Sequence, residues 1–287
     1  MSLRRRRPAQ WLALESSKAI SETISISITR TAGAPTAAWR VVDGGQIYEY
    51  AGDALSHVVV VGPCKIECRI APKWISALDF SAPCSLIKIK NLRKCENLAS
   101  FISHWDTELA LDTYDFPPTF SGVLFLVSKY FTGNLAEFGD NFSVFYIFGD
   151  SPSKAITGLV GDIIDIPTNA TNVILEFCPN LTGTDIHHLI DIHSISFANS
   201  SILQARVDAI ILDIWQHRAD FTYAGGITCN LDGNNAAPSG NVTAPEEGSD
   251  WHLDGEIWIP LTPGAMVFDL VNDVNSEGFN FWNITVT

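Results

Sequence analysis

The sequence predicts a β-rich α/β chain, an irregular solenoid of short coils between an N-terminal β module and an α+β C-terminal cap. Three observations predict it. Short apolar–x–apolar cores recur at Leu78-Asp79-Phe80, Ile87-Lys88-Ile89, Leu109-Ala110-Leu111, Phe125-Leu126-Val127, Leu175-Glu176-Phe177 and Ile195-Ser196-Phe197. A sharper marker, an apolar residue followed by Thr-Gly, falls at Phe131-Thr132-Gly133, Ile156-Thr157-Gly158 and Leu181-Thr182-Gly183, two intervals of 25 residues. Period-2 alternation precedes this stretch and helical spacing follows it.

Self-similarity at roughly 20–29 residues is the sign of a leucine-rich-repeat-like coil. One such coil cannot bury its own apolar face, so coils stack and share a core. The best match to the repeat pattern is Ile192-x-x-Ile195-x-Phe197-x-x-Ser200-x-Ile202, and the next is Leu175-x-Phe177-x-x-Asn180, with Asn180 at the ladder position.

The elements follow in order. Residues 1–19 form a basic arm that carries Arg4, Arg5, Arg6 and Arg7. Residues 20–75 read as a β module and N-terminal cap. There Ile24, Ile26 and Ile28 alternate with Ser and Thr, and Asp43-Gly44-Gly45 supplies a turn. Residues 76–203 hold the coils, and residues 204–287 the cap. Val207, Ile210, Ile211, Ile214 and Trp215 make one apolar helical stripe, with Asp208 near its start and His217 and Arg218 near its end, as the helix dipole favours. Gly226 to Leu231 reads as a strand. Thr262 caps a second helix with Pro263 at its first position, and Phe279 to Val286 closes the chain as a strand.

Composition narrows the function. Net charge is −14, so a uniformly acidic surface repels phosphate backbones, and nucleic acid is disfavoured except through the arginine arm. Only 17% of residues are charged, and hydroxyl and amide groups carry much of the surface instead. The apolar run Trp11-Leu12-Ala13-Leu14 breaks at Glu15, too short for a secretory signal, and nothing approaches a membrane span. The six cysteines lack the paired spacing of a zinc site and read as buried free thiols. Sequons stand at Asn141, Asn169, Asn180, Asn199, Asn241 and Asn283 in a chain rich in Asn and Thr.

The repeats, the helix Val207-Asp208-Ala209-Ile210-Ile211, the segment Asn234 to Gly240 and the closing stretch Leu270-Val271-Asn272-Asp273 to Trp282 resemble leucine-rich-repeat-like proteins of Bacteroidota-type bacteria and of the tailed phages that infect them. The resemblance covers roughly residues 39 to 287. It implies a virion part such as a tail fibre, baseplate or capsid-surface protein, or else a bacterial surface protein, and carries over no catalytic residue. The missing export signal favours a virion part assembled in the host cytoplasm. The partners expected are other virion proteins, a host-surface glycan or protein, and further copies of the chain in a homo-oligomer.

Chemistry is sparse, and the chain reads as non-enzymatic, without a cofactor. Asp185, His187, His188, Asp191 and His193 include metal-ligating types, yet turn histidines are usually solvated, so no metal is assigned. Asp273 to Gly278 resembles half of a calcium loop but has Ile284 where a bidentate Glu is needed. Asp250, Asp254 and Glu256 near tryptophans offer the carboxylates of a glycosidase without a fixed pair. Aromatics give the better hint: Tyr130, Tyr146, Trp251 and Trp258 are the candidate partner or glycan contacts, and Arg4 to Arg7 the candidate assembly arm.

Overall fold

The computed structural model describes residues 11–80, 84–103, 108–149, 151–223, 225–274 and 282–286. The chain forms two compact units, one ending at Gly133 and the other beginning at Asn134.

The first unit holds β1 (Leu12–Ser16), β2 (Thr23–Arg30), β3 (Ala38–Asp43), β4 (Gln46–Ala51), β5 (Ala54–Val58), β6 (Cys64–Cys68), β7 (Ile75–Phe80), β8 (Leu86–Lys90), β9 (Ser100–Ser103) and β10 (Gly122–Val127). One antiparallel sheet has the order β4-β3-β6-β1-β8. The other strands run β5-β2-β7-β9-β10, antiparallel as far as β7 and parallel from there. Alternation decides which side is buried. Ile24, Ile26 and Ile28 turn inward from β2, Trp39 and Val41 from β3, and Leu12 and Leu14 from β1. The β3–β4 hairpin closes on Gly44 and Gly45, both at positive φ, the backbone that a tight two-residue hairpin requires.

After β11 (Thr132–Asn134), the second unit holds β12 (Phe142–Phe148), β13 (Gly158–Asp162), β14 (Asn172–Ile174), β15 (Leu181–Thr182), β16 (Ser194–Ser196), α1 (Gln204–Gln216), β17 (Ile227–Asn230), β18 (Trp251–Asp254), β19 (Ile257–Pro260), α2 (Pro263–Asn272) and β20 (Trp282–Thr285). The order β12-β14-β16-β17-β20 is parallel throughout, β13 and β15 form a second parallel pair, and β18 and β19 an antiparallel hairpin. Phe145, Val173, Ile195, Cys229 and Ile284 line up across the ladder on its buried side. Each large side chain of that row contributes about 1.5–3 kcal/mol by burial, which lets strands as short as three residues persist. Helix α1 buries Val207, Ile210, Ile211 and Ile214, the stripe its spacing predicts. Helix α2 begins at Pro263, and the Thr262 side chain accepts from the Ala265 amide.

The predicted architecture is corrected. The protein is mostly β, built on large mixed sheets, with two α-helices among the described residues, in place of a β-rich α/β leucine-rich-repeat-like solenoid with separate module and cap. Strand β2 pairs with β7, and β8, expected among the coils, runs antiparallel to β1. Strand β1 itself lies inside residues 1–19, the stretch read as a basic arm. Two expected strand cores, Leu109–Leu111 and Leu175–Phe177, are not strands; Phe177 sits in the left-handed region at φ 55°.

The 25-residue marker misled for a physical reason. Leu181 pairs with Gly161, not with Ile156. Three positive-φ glycines stand where a Cβ would strike a polar turn: Gly133 against Thr113, Gly161 against the Asn134 side chain, and Gly183 against the Asp162 carboxylate. Gly158 does not share their positive φ, so equal spacing of Thr-Gly pairs does not measure a structural period.

Candidate functional site

The parallel ladder of the second unit presents its outward side chains in two rows. In-register pairing puts Val144, Asn172, Ser194, Thr228 and Asn283 side by side in one row, and Tyr146, Ile174, Ser196, Asn230 and Thr285 in the next. Neighbours in a row stand about 4.8 Å apart, and the rows about 6.6 Å apart, as strand spacing and pleat dictate. No charged side chain interrupts either row. Thr228, Asn283 and Thr285 are exposed, Tyr146, Asn172, Ser194 and Asn230 are half-buried, and Ser196 is buried. Several groups are tied locally: Asn172 Nδ2 donates to Thr171 Oγ1 at 3.0 Å, Ser196 Oγ donates to Glu176 Oε1 at 2.5 Å, and Asn230 Oδ1 accepts from the Asp232 amide at 3.1 Å. The result is a patterned surface of hydroxyl and amide groups, with the phenol of Tyr146 on β12 and the apolar Val144 and Ile174 among them.

The rows are legible in hindsight as the triplets Ser194-Ile195-Ser196, Thr228-Cys229-Asn230 and Asn283-Ile284-Thr285, polar outside and apolar inside. They were missed because hydroxyl and amide residues read as generic surface when the strand pairing is not known.

The four aromatic candidates stand in different local settings. Tyr146 lies on the patterned face. Tyr130 is 44% exposed, with the Lys129 ammonium 4.6 Å from its ring centre, and belongs to the first unit. Trp258 is half-buried on β19, opposite Leu253. Trp251 is corrected: at 1% exposure it is a core side chain, its Nε1 donating to the Thr243 carbonyl at 3.1 Å and its ring edge-on to Phe268. It has no free face on which a sugar could stack. Arg4, Arg5, Arg6 and Arg7 lie outside the described residues, as does Asn275 to Gly278 of the half calcium loop.

Several titratable groups are engaged locally. Asp250 accepts from Asn241 Nδ2 and Thr262 Oγ1, both at 3.0 Å. The Asn241 bond above all holds its carboxyl below the usual range, with Thr262 helping against partial burial. A glycosidase acid needs a shift in the opposite direction. Asp43 is fully buried in the first unit. Its Oδ2 takes the Val60 amide and His57 Nε2, its Oδ1 takes the Val61 and Gly62 amides, and Tyr50 Oη lies 2.8 Å from His57 Nδ1. Burial alone would raise the Asp43 pKa, but those four hydrogen bonds outweigh it and lower it.

In the second unit, His187 and His217 both lie against Asp213, while His188 is bonded to the Ile166 carbonyl. Asp191 and His193 are elsewhere: the Thr222 hydroxyl donates to Asp191, and the His193 ring stacks on Tyr223. A cavity of about 500 Å³ opens between the 237–242 loop, α2 and the end of β20, and none of its lining residues is titratable. No helix among the described residues is long and apolar enough to cross a membrane. The chain matches no protein-family model, no curated protein and no solved structure.

Proposed function

We propose that this chain is a non-enzymatic binding protein, an attachment component of a virion, whose patterned strand face holds a neutral glycan of the host surface. The observation that carries the glycan reading is the pair of uncharged rows on the second unit. Neutral sugars offer hydroxyl groups that both donate and accept. A face of Ser, Thr and Asn side chains meets them with the same dual capacity, without desolvating a charge. Tyr146 adds an aromatic edge for the apolar face of a ring. The net charge of −14 works against phosphate-rich partners and leaves neutral glycans unopposed. The virion setting follows from the resemblance of the repeat and C-terminal segments to phage structural proteins.

A glycan array followed by calorimetry tests the reading. Binding in the micromolar range is expected. Tyr146→Ala should weaken it by roughly tenfold, about 1.4 kcal/mol, and Thr228→Lys should weaken it at least as much by placing a charge in the row. An array with no hits, or binding indifferent to both changes, removes the glycan reading.

A further inference from the structure

We propose that His187, Asp213 and His217 form a binding site for one divalent transition-metal ion of the zinc type.

The site is assembled from two elements. Asp213 lies on the third turn of α1, and His217 follows one turn later at its C-cap. His187 comes from the loop after β15. The Ile186 and His187 amides donate to Asp213 Oδ2 at 2.7 and 3.0 Å, which fixes the carboxylate plane. Oδ1 is left facing two imidazoles, with His187 Nδ1 at 2.9 Å and His217 Nδ1 at 3.2 Å. All three ligand atoms lie within 4.8 Å of one another.

That spacing is the relevant test. Around a tetrahedral zinc ion with bonds of roughly 2.0–2.2 Å, ligand atoms sit about 3.3 Å apart. The two O···N separations come within a few tenths of an ångström of that edge. Two imidazoles and one carboxylate leave a fourth position open, and it faces water, because the His187 and His217 side chains are 39% and 35% exposed while Asp213 is buried. The donor set selects borderline ions such as Zn²⁺, Co²⁺, Ni²⁺ or Cu²⁺. Calcium and magnesium need more oxygen ligands than one carboxylate supplies.

The proton balance is simple. Without metal, His187 Nδ1–H donates to the Asp213 carboxylate at 2.9 Å, and His217 Nδ1–H donates to its own helix carbonyl, Asp213 O, at 3.0 Å. On binding, each neutral ring keeps one proton but carries it on Nε2, so the Nδ1 lone pair is free for the metal. The carboxylate with its two amide donors serves as both ligand and anchor. The ion would then clip the 184–190 loop to the last turn of α1.

His188 stands outside the cluster, its Nε2 bonded to the Ile166 carbonyl. A second cluster of ligand types among the described residues, Asp43, His57 and Cys64, is buried and already satisfied without an ion. Its carboxylate is saturated by backbone amides, and burial pushes the Cys64 thiol up to about 11.

The test uses the full chain, stripped with a chelator and titrated with Zn²⁺ by calorimetry and with Co²⁺ by visible absorption at pH 7.5. Expected are one equivalent bound, a Co²⁺ ligand-field band of low-coordinate geometry, and at least tenfold weaker binding in both His187→Ala and His217→Ala. His252→Ala, at a separate exposed His–Glu pair, should bind as the parent does. The two variants are made separately, so a folding defect in one leaves the other informative. No Co²⁺ band, or affinity unchanged in a folded His187→Ala or His217→Ala protein, overturns the site.

Discussion

A buried carboxylate beside a histidine invites a catalytic reading, and Asp43 shows why its hydrogen bonds must be counted first. Its position on β3 has inward parity, so the backbone delivers a charged group into the core. Three consecutive amides and His57 meet it there. Charge-assisted bonds of this kind contribute about 1.5–3 kcal/mol each, and leaving the donors without an acceptor costs still more. Asp43→Asn should therefore destabilise the protein by roughly 2–4 kcal/mol at pH 7, because the amide nitrogen now confronts a backbone donor. The folded pKa is lowered, so the stability from the charge is fully present above about pH 4 and fades as the pH falls through the folded value. Urea unfolding of parent and variant across pH 2–7 should show the gap closing only at the acid end; a constant gap refutes the assignment. Half of this was legible in the sequence. Asp43-Gly44-Gly45 announced the turn, but His57 and the 60–62 amides come from elsewhere in the fold, and no local pattern names them.

At the scale of elements, the reading succeeded where order is local and failed where it depends on pairing. Helix α1 and the Thr262-Pro263 start of α2 follow from spacing and capping within one segment. Strand β1 was hidden because Leu12 and Leu14 alternate over only five residues beside a run of arginines. The patterned face and the Asp213 cluster each need partners more than 20 residues apart, as in the pairing of Ser194 with Asn172 or the bond between His187 and Asp213.

Arg206 shows how an element end is closed. Its guanidinium donates to three consecutive carbonyls of the β15 region: Nε to Gly183 at 2.7 Å, Nη2 to Thr182 at 2.9 Å, and Nη1 to Leu181. Without it, those carbonyls lose their partner on the α1 side. Arg206→Ala should cost about 2–3 kcal/mol in chemical denaturation. Arg206→Lys should restore less than half, since a point charge cannot serve three acceptors in a row. Equal stability of Lys and Arg would refute the capping role.

Across the whole molecule, the six cysteines report on both cores. All are free and buried. Burial pushes Cys68, Cys95 and Cys229 up to about 12 and raises Cys84 and Cys178 as well. A thiol both enclosed and protonated is a poor nucleophile. A thiol-reactive chromogen at pH 8 should therefore find essentially none in the native protein and six after full unfolding. Fast labelling of one or two in native buffer would locate an opening in one unit. Sequence reading anticipated the free thiols from their spacing, but it could not say that three of them, Cys64, Cys68 and Cys229, occupy inward positions on strands.

The edge strand β20 has a practical corollary. Asn283, exposed in the outer row, is also the acceptor of an Asn-Ile-Thr glycosylation triplet. Protein made through a eukaryotic secretory line would be open to modification there, and a branched oligosaccharide would stand across Thr228 and Thr285 like a shutter. Material from a bacterial cytosol keeps that surface bare, so the choice of expression host decides whether the face is available to be measured at all.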